Sequence, residues 1–198
     1  TSTPYPDSDG QPMADNTQQF RWIVTIKENL DILFANQPNV FVAGDLLWYP
    51  VEGNNHLCQA PDAMVVFGRP KGDRGSYQQW KEGGIAPQVV FEILSPRNTA
   101  NEMTRKILFY QRYGVEEYYQ YDPARNELVG SRRTDAAMPP MENHFSPPLN
   151  WLNSATRRVS RLRKSASVPI ALLHVFENSA LTPTKFRDSL QFMFDYHV

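Results

Sequence analysis

A carboxylate stands in the middle of an apolar run at residues 88–94, QVVFEIL. Side chains alternate faces along a strand, so Val90, Glu92 and Leu94 share one face and Val89, Phe91 and Ile93 the other. An ionised carboxylate on a buried face is strongly disfavoured unless it is paired, hydrogen-bonded or bound to a metal. Glu92 therefore demands a partner near the end of its strand. Asp62, directly after Pro61, opens the preceding apolar run PDAMVVFG. If those two strands pair antiparallel, the start of one lies beside the end of the other, and Asp62 converges on Glu92. Two carboxylates at one point repel unless a cation bridges them, and an all-oxygen donor set suits a hard cation, Mg²⁺ or Mn²⁺. Lys106 lies about two turns into the helix that follows, at the border of a stripe marked by Met103, Ile107 and Tyr110, with Tyr110 and Tyr113 on its side. Its long stem can turn inward. Metal, two carboxylates and a lysine form a phosphodiesterase-type site, in which the metal polarises phosphate and activates water and the lysine stabilises charge or orients the nucleophile.

The elements that must hold these groups follow from pattern. Residues 1–16 are rich in Pro, Asp, Ser and Gly and read as an extended arm. Apolar residues recur at helical spacing from Gln18 to Phe34 (Phe20, Ile23, Val24, Leu30, Leu33, Phe34), which predicts an amphipathic helix capped by Asp15 or Asn16. VFVAGDLLWYPV predicts one or two short strands, PDAMVVFG another, with its proline at a position that needs no donor. Residues 68–87 form a long polar, glycine-rich connection; such loops are uncommon in compact domains and often functional. After QVVFEIL comes a helix over Ala100–Tyr113 ended by Gly114. The segment VEEYYQYD is a strand, PARN turns the chain, and ELVGSRR pairs back as a hairpin. This order predicts an α/β fold, a central mixed sheet flanked by helices.

Composition bounds the function. The chain has 198 residues, 41% of them apolar, which fits one domain with an appendage. No apolar run is long enough for a membrane span, and the N-terminus has neither the basic flank nor the apolar core of a signal peptide. A single cysteine, Cys58, excludes an intrachain disulfide framework and suits a cytoplasmic setting. Net charge is −1, so global electrostatics do not announce nucleic acid, but residues 1–150 carry 13 Lys/Arg against 18 Asp/Glu while Arg157, Arg158, Arg161, Arg163 and Lys164 cluster beyond them.

The stretches PD at 61–62, FEILSP at 91–96, Lys106 and FYQRYGVEEYYQYDP at 109–123 together resemble the Uma-type restriction endonuclease family, abundant in cyanobacteria and part of the PD-(D/E)XK nuclease superfamily. The resemblance covers Tyr5–Pro148. It implies a restriction-endonuclease-like core over residues 17–148 and a divalent-metal, Mg²⁺- or Mn²⁺-dependent endonuclease acting on DNA, with Asp62 and Glu92 as metal ligands and Asp62, Glu92 and Lys106 as catalytic residues. The superfamily pattern puts a lysine at position 94; here Leu94 stands there, and the family's helix lysine corresponds to Lys106. An extra acidic or polar group from the first helix corresponds to Glu28 or Gln19, with Asp45 as a further candidate near the sheet. Arg69, Lys71 and Arg74, with Tyr77 and Trp80, are candidates to line a nucleic-acid groove by charge and stacking. Cutting both strands with one site per chain points to a homodimer. Residues 149–198 depart from the family's pattern and stay unassigned. Two other readings use the same residues: a non-catalytic nucleic-acid or protein-binding module on a nuclease scaffold, and a metal-dependent hydrolase of another phosphoester.

Overall fold

A computed structural model describes residues 4–134 and Met138. The segment 149–198 and its basic cluster lie outside the described residues. The first helix, α1, spans Thr17–Leu33. Asn16 caps it, its side chain accepting from the Gln19 backbone N–H, which satisfies one of the donors a helix leaves open at its N-terminus. The stripe that α1 buries is centred on Trp22, Ile23, Leu30 and Leu33, while Phe20 and Val24, expected in that stripe, face outward. The two residues stand a turn apart on the helix's outer side, Phe20 48% and Val24 41% exposed.

Strands β1 (Val40–Ala43), β3 (Ala63–Phe67), β5 (Val89–Ile93), β6 (Glu117–Asp122) and β7 (Glu127–Arg132) form one five-stranded sheet in the order β1-β3-β5-β6-β7. The pairs β1/β3, β3/β5 and β6/β7 are antiparallel and β5/β6 is parallel. The parallel step needs a crossover, and helix α2, Ala100–Tyr113, provides it. Its N-cap Thr99 accepts from Glu102 N–H, and Gly114 ends it with a left-handed φ of 111°. That conformation is open to glycine at little strain. Strands β2 (Trp48–Tyr49) and β4 (Tyr77–Gln78) pair parallel as a separate small sheet. The long polar connection thus holds β4 and a 3₁₀ turn, Gln79–Glu82.

The sheet is covered on both faces. One face packs Phe41, Met64, Val66, Val90 and Tyr118 with Trp48, Tyr77 and Tyr110. On the other, Trp22 of α1 meets Tyr121 at 4.4 Å between ring centroids, and Phe34 meets Phe67 edge-on. Coverage on both sides explains why β3 and β5 read as nearly unbroken apolar runs. It also makes Glu92, at 2% exposure in a strand buried along its whole length, conspicuous.

Candidate active site

The pairing of β3 with β5 sets Ala63 opposite Phe91. One step further along the same register, Asp62 faces Glu92. The Asp62 carboxylate accepts a hydrogen bond from the Ile93 backbone N–H through Oδ2 at 2.6 Å. Its Oδ1 takes no hydrogen bond among the described residues. Asp62 is 7% exposed.

Glu92 is held from α2. The Lys106 ammonium donates to Oε2 at 2.7 Å, and the Tyr110 hydroxyl donates to Oε1. Lys106 and Tyr110 are four residues apart and so lie on one helix face. The loop between strand and helix fixes that face. The Ser95 backbone N–H donates to Asn98 Oδ1 at 2.8 Å, and the Asn98 side-chain amide donates to Glu102 Oε1 in the first turn of α2. The Ser95 hydroxyl donates to Asp15, just before α1.

The electrostatics show a site short of positive charge. Burial, and then the neighbouring Glu92 charge, push the Asp62 carboxyl well above its ordinary value, against the lowering pull of the Ile93 N–H and Lys106. Burial also raises Glu92, opposed by Lys106 and Tyr110. Burial lowers Lys106, but the Glu92 charge and hydrogen bond outweigh it and raise the ammonium overall. The Tyr110 hydroxyl is raised well above its ordinary value by burial and then by Glu92. One ammonium serves two buried carboxylates.

Two of the other candidates border this cluster. The Asp45 backbone N–H donates to the Pro61 carbonyl at 3.1 Å, beside Asp62. Its carboxyl is raised by burial, then by Asp9, with the Glu92 charge adding and Lys106 opposing. Gln19 is buried; its amide nitrogen donates to the Ile93 carbonyl at 2.9 Å, and its Oε1 accepts from the Asp15 backbone N–H. Between the two first-helix candidates, the structure places Gln19 next to the site. Glu28 instead pairs with Lys27 at 3.2 Å on the helix surface, and no contact joins it to Asp62 or Glu92 among the described residues.

The cationic candidates of the 68–87 connection differ in their surroundings. Arg74 is not presented to solvent: its Nε meets Glu82 at 2.7 Å, its terminal nitrogens meet the Gly72 and Pro70 carbonyls, and its guanidinium lies 3.9 Å over the Phe41 ring. Arg69 Nε binds the same Glu82 at 2.9 Å. These two arginines staple the connection together. Lys71 is exposed. Tyr77 is fully buried with its hydroxyl on the Ile85 carbonyl, and Trp80 packs on Tyr5 of the N-terminal arm.

Two groups were given no role in the site from the sequence. Tyr110 reads as core until β5 and α2 are brought together; its spacing from Lys106 was the available signal. Gln120 stands opposite Glu92 in the parallel β5/β6 register, a polar residue in the aromatic run EYYQYD.

The donor set fits a hard cation. Both candidate ligands are carboxylates, one with an oxygen that takes no hydrogen bond among the described residues, the other already holding an ammonium; with both ionised, two negative charges face one positive charge. Among the described residues no group of three or more His, Cys, Asp or Glu gathers in a way that would hold a metal. A cation here would be held by the two carboxylates, Asp62 and Glu92. No helix among the described residues is long and apolar enough to cross a membrane.

Comparison with known proteins bears on the family and the fold. The model of the Uma2 family, described as "Putative restriction endonuclease", matches residues 9–160. A solved structure described as a "putative nuclease belonging to DUF820" from Anabaena variabilis ATCC 29413 superposes with a TM-score of 0.52 at 16% identity, covering 74% of this chain and 81% of that one. At that identity it shows the shared α/β fold. No curated protein matches the chain.

Proposed function

This chain belongs to the Uma2 restriction-endonuclease family, and from that membership we propose that it is a divalent-metal-dependent endonuclease that hydrolyses phosphodiester bonds of DNA. The observation that carries the reading is the meeting of Asp62, Glu92 and Lys106 at the end of β5, with two buried carboxylates against one ammonium. A bound Mg²⁺ or Mn²⁺ would polarise the phosphate and lower the pKa of a water molecule. Asp62 and Glu92 are the residues that would hold it. The Ile93 N–H fixes one oxygen of Asp62, and the β3/β5 register keeps the two carboxylates side by side. Lys106 neutralises Glu92 and lies where an ammonium can stabilise negative charge developing on phosphate. Nuclease function in general follows from the family.

The test is cleavage of supercoiled and linear DNA in Mg²⁺, Mn²⁺ and EDTA by the wild type, Asp62→Ala and Glu92→Ala. Cleavage that needs the cation and is lost in both variants is expected. Undiminished cleavage in the two variants would remove these carboxylates from the reaction. Metal binding without cleavage of any nucleic acid would favour the binding-module reading.

A further inference from the structure

Glu92 has two oxygens and two unlike partners. Lys106, on Oε2, has a side chain 20% exposed and a flexible stem. Tyr110, on Oε1, is fully buried. Its ring is packed on three sides, stacked against Trp48 at 6.4 Å between centroids, and beside Phe109 at 5.9 Å and Tyr118 at 5.8 Å. A phenol has one proton to donate, and a buried donor that loses its acceptor is penalised by the full desolvation of that group. The aromatic packing leaves the ring no way to follow a carboxylate that turns.

The geometry points to Tyr110 as a positioning residue: it fixes Glu92 Oε1 against the core, so that Oε2, the oxygen beside Lys106, is the one presented to a cation. This inference rests on the metal-dependent reading of the site. Lys106 is the partner that can yield, and Tyr110 keeps its hydrogen bond whether or not a cation is bound. The hydroxyl therefore acts through Glu92 and touches neither metal nor phosphate.

Calorimetric Mn²⁺ titration of the wild type, Tyr110→Phe and Tyr77→Phe tests it, with DNA-cleavage kinetics in parallel. Tyr77 is the matched control: it lies in the same core cluster, and its hydroxyl donates to the Ile85 carbonyl. Tyr110→Phe is expected to weaken Mn²⁺ binding about 10–100-fold, the usual effect of removing a ligand's outer hydrogen-bond partner, and, at saturating Mn²⁺, to lower kcat with KM for DNA unchanged. Tyr77→Phe should leave Mn²⁺ affinity unchanged. Equal Mn²⁺ affinity in Tyr110→Phe and wild type, or equal weakening in both variants, overturns the positioning role while leaving the nuclease reading intact. A wild type that binds no Mn²⁺ overturns both. Should Tyr110→Phe fail to fold, proton NMR of the wild type decides: a protected Tyr110 hydroxyl proton must be present and must persist when Mg²⁺ is added. Its absence, or its loss on adding Mg²⁺, overturns the proposal.

Discussion

Asp62 sits where charge and stability pull in opposite directions. Its carboxylate lies buried beside Glu92, and Lys106 is paired with Glu92. Replacing it by asparagine keeps an oxygen to accept from the Ile93 N–H and removes the like charge. Asp62→Asn is therefore expected to match or exceed the wild type in thermal stability, by about 1 kcal/mol at most, while metal-dependent cleavage falls at least about 100-fold. Paired melting curves and cleavage rates check this; a variant that loses stability and activity together would mark Asp62 as structural. Lys106→Met should behave in the other sense. It leaves Glu92 Oε2 buried without its partner and costs about 1–3 kcal/mol, read as a lower urea midpoint, together with slower cleavage. At this scale the sequence was informative where a residue broke its local pattern. Glu92 was legible because no apolar strand tolerates a lone carboxylate, and Asp62 because an antiparallel pairing brings the start of one strand to the end of the next. Their roles in catalysis belong to the proposal. Tyr110 was not legible in its role: a tyrosine on an apolar helix face reads as packing, and its acceptor lies in a different element.

The elements were read more fully than the side chains between them. Helix α2 was marked at its end by Gly114, in the left-handed region, while its N-cap Thr99, which accepts from Glu102 N–H, carried no reading of its own. The hairpin of β6 and β7 followed from alternation around a short turn. The 68–87 connection was the opposite case. Its two-residue strand has no periodicity to detect, and its arginines read as solvent-facing because Glu82, their shared partner, lies 13 and 8 residues away in irregular chain. That staple has a pH signature. The hydrogen bond from Arg74 chiefly, opposed by burial and helped by the charges of Arg74 and Arg69, holds Glu82 below its ordinary value of 4.5. A carboxylate whose folded value is depressed contributes stability that is fully present above its unfolded value and is lost as pH falls through the folded one. Glu82→Gln is accordingly expected to lower stability by about 2 kcal/mol at neutral pH, with the gap to wild type closing as pH drops below 4.5. Urea denaturation across that range measures it, and an offset that stays constant with pH would show that the pairing contributes nothing through its charge.

For the whole molecule, the charge balance sets a condition on how the proposed DNA substrate would approach. Attraction to a phosphate backbone comes from Lys and Arg displacing counterions, yet residues 1–150 carry 13 of these against 18 Asp/Glu. Arg74 and Arg69 are turned onto Glu82, and the site adds two carboxylates against one lysine. With both carboxylates ionised, a phosphodiester nearing Asp62 and Glu92 would meet net repulsion until a dication is present. DNA binding is therefore expected to depend on the cation. Fluorescence anisotropy with labelled duplex should show binding weaker than about 10⁻⁴ M in EDTA and at least about 10-fold tighter binding with Ca²⁺, an oxygen-seeking dication. Asp62→Asn should remove most of that gain. The competing source of affinity is the basic cluster at residues 157–164, which lies outside the described residues. Binding driven by it would persist in EDTA, ignore Asp62, and fall steeply with salt, its logarithm linear in the logarithm of salt concentration. Equal affinity in EDTA and Ca²⁺ would place DNA recognition in that cluster and leave the carboxylate site to act only after the substrate is bound.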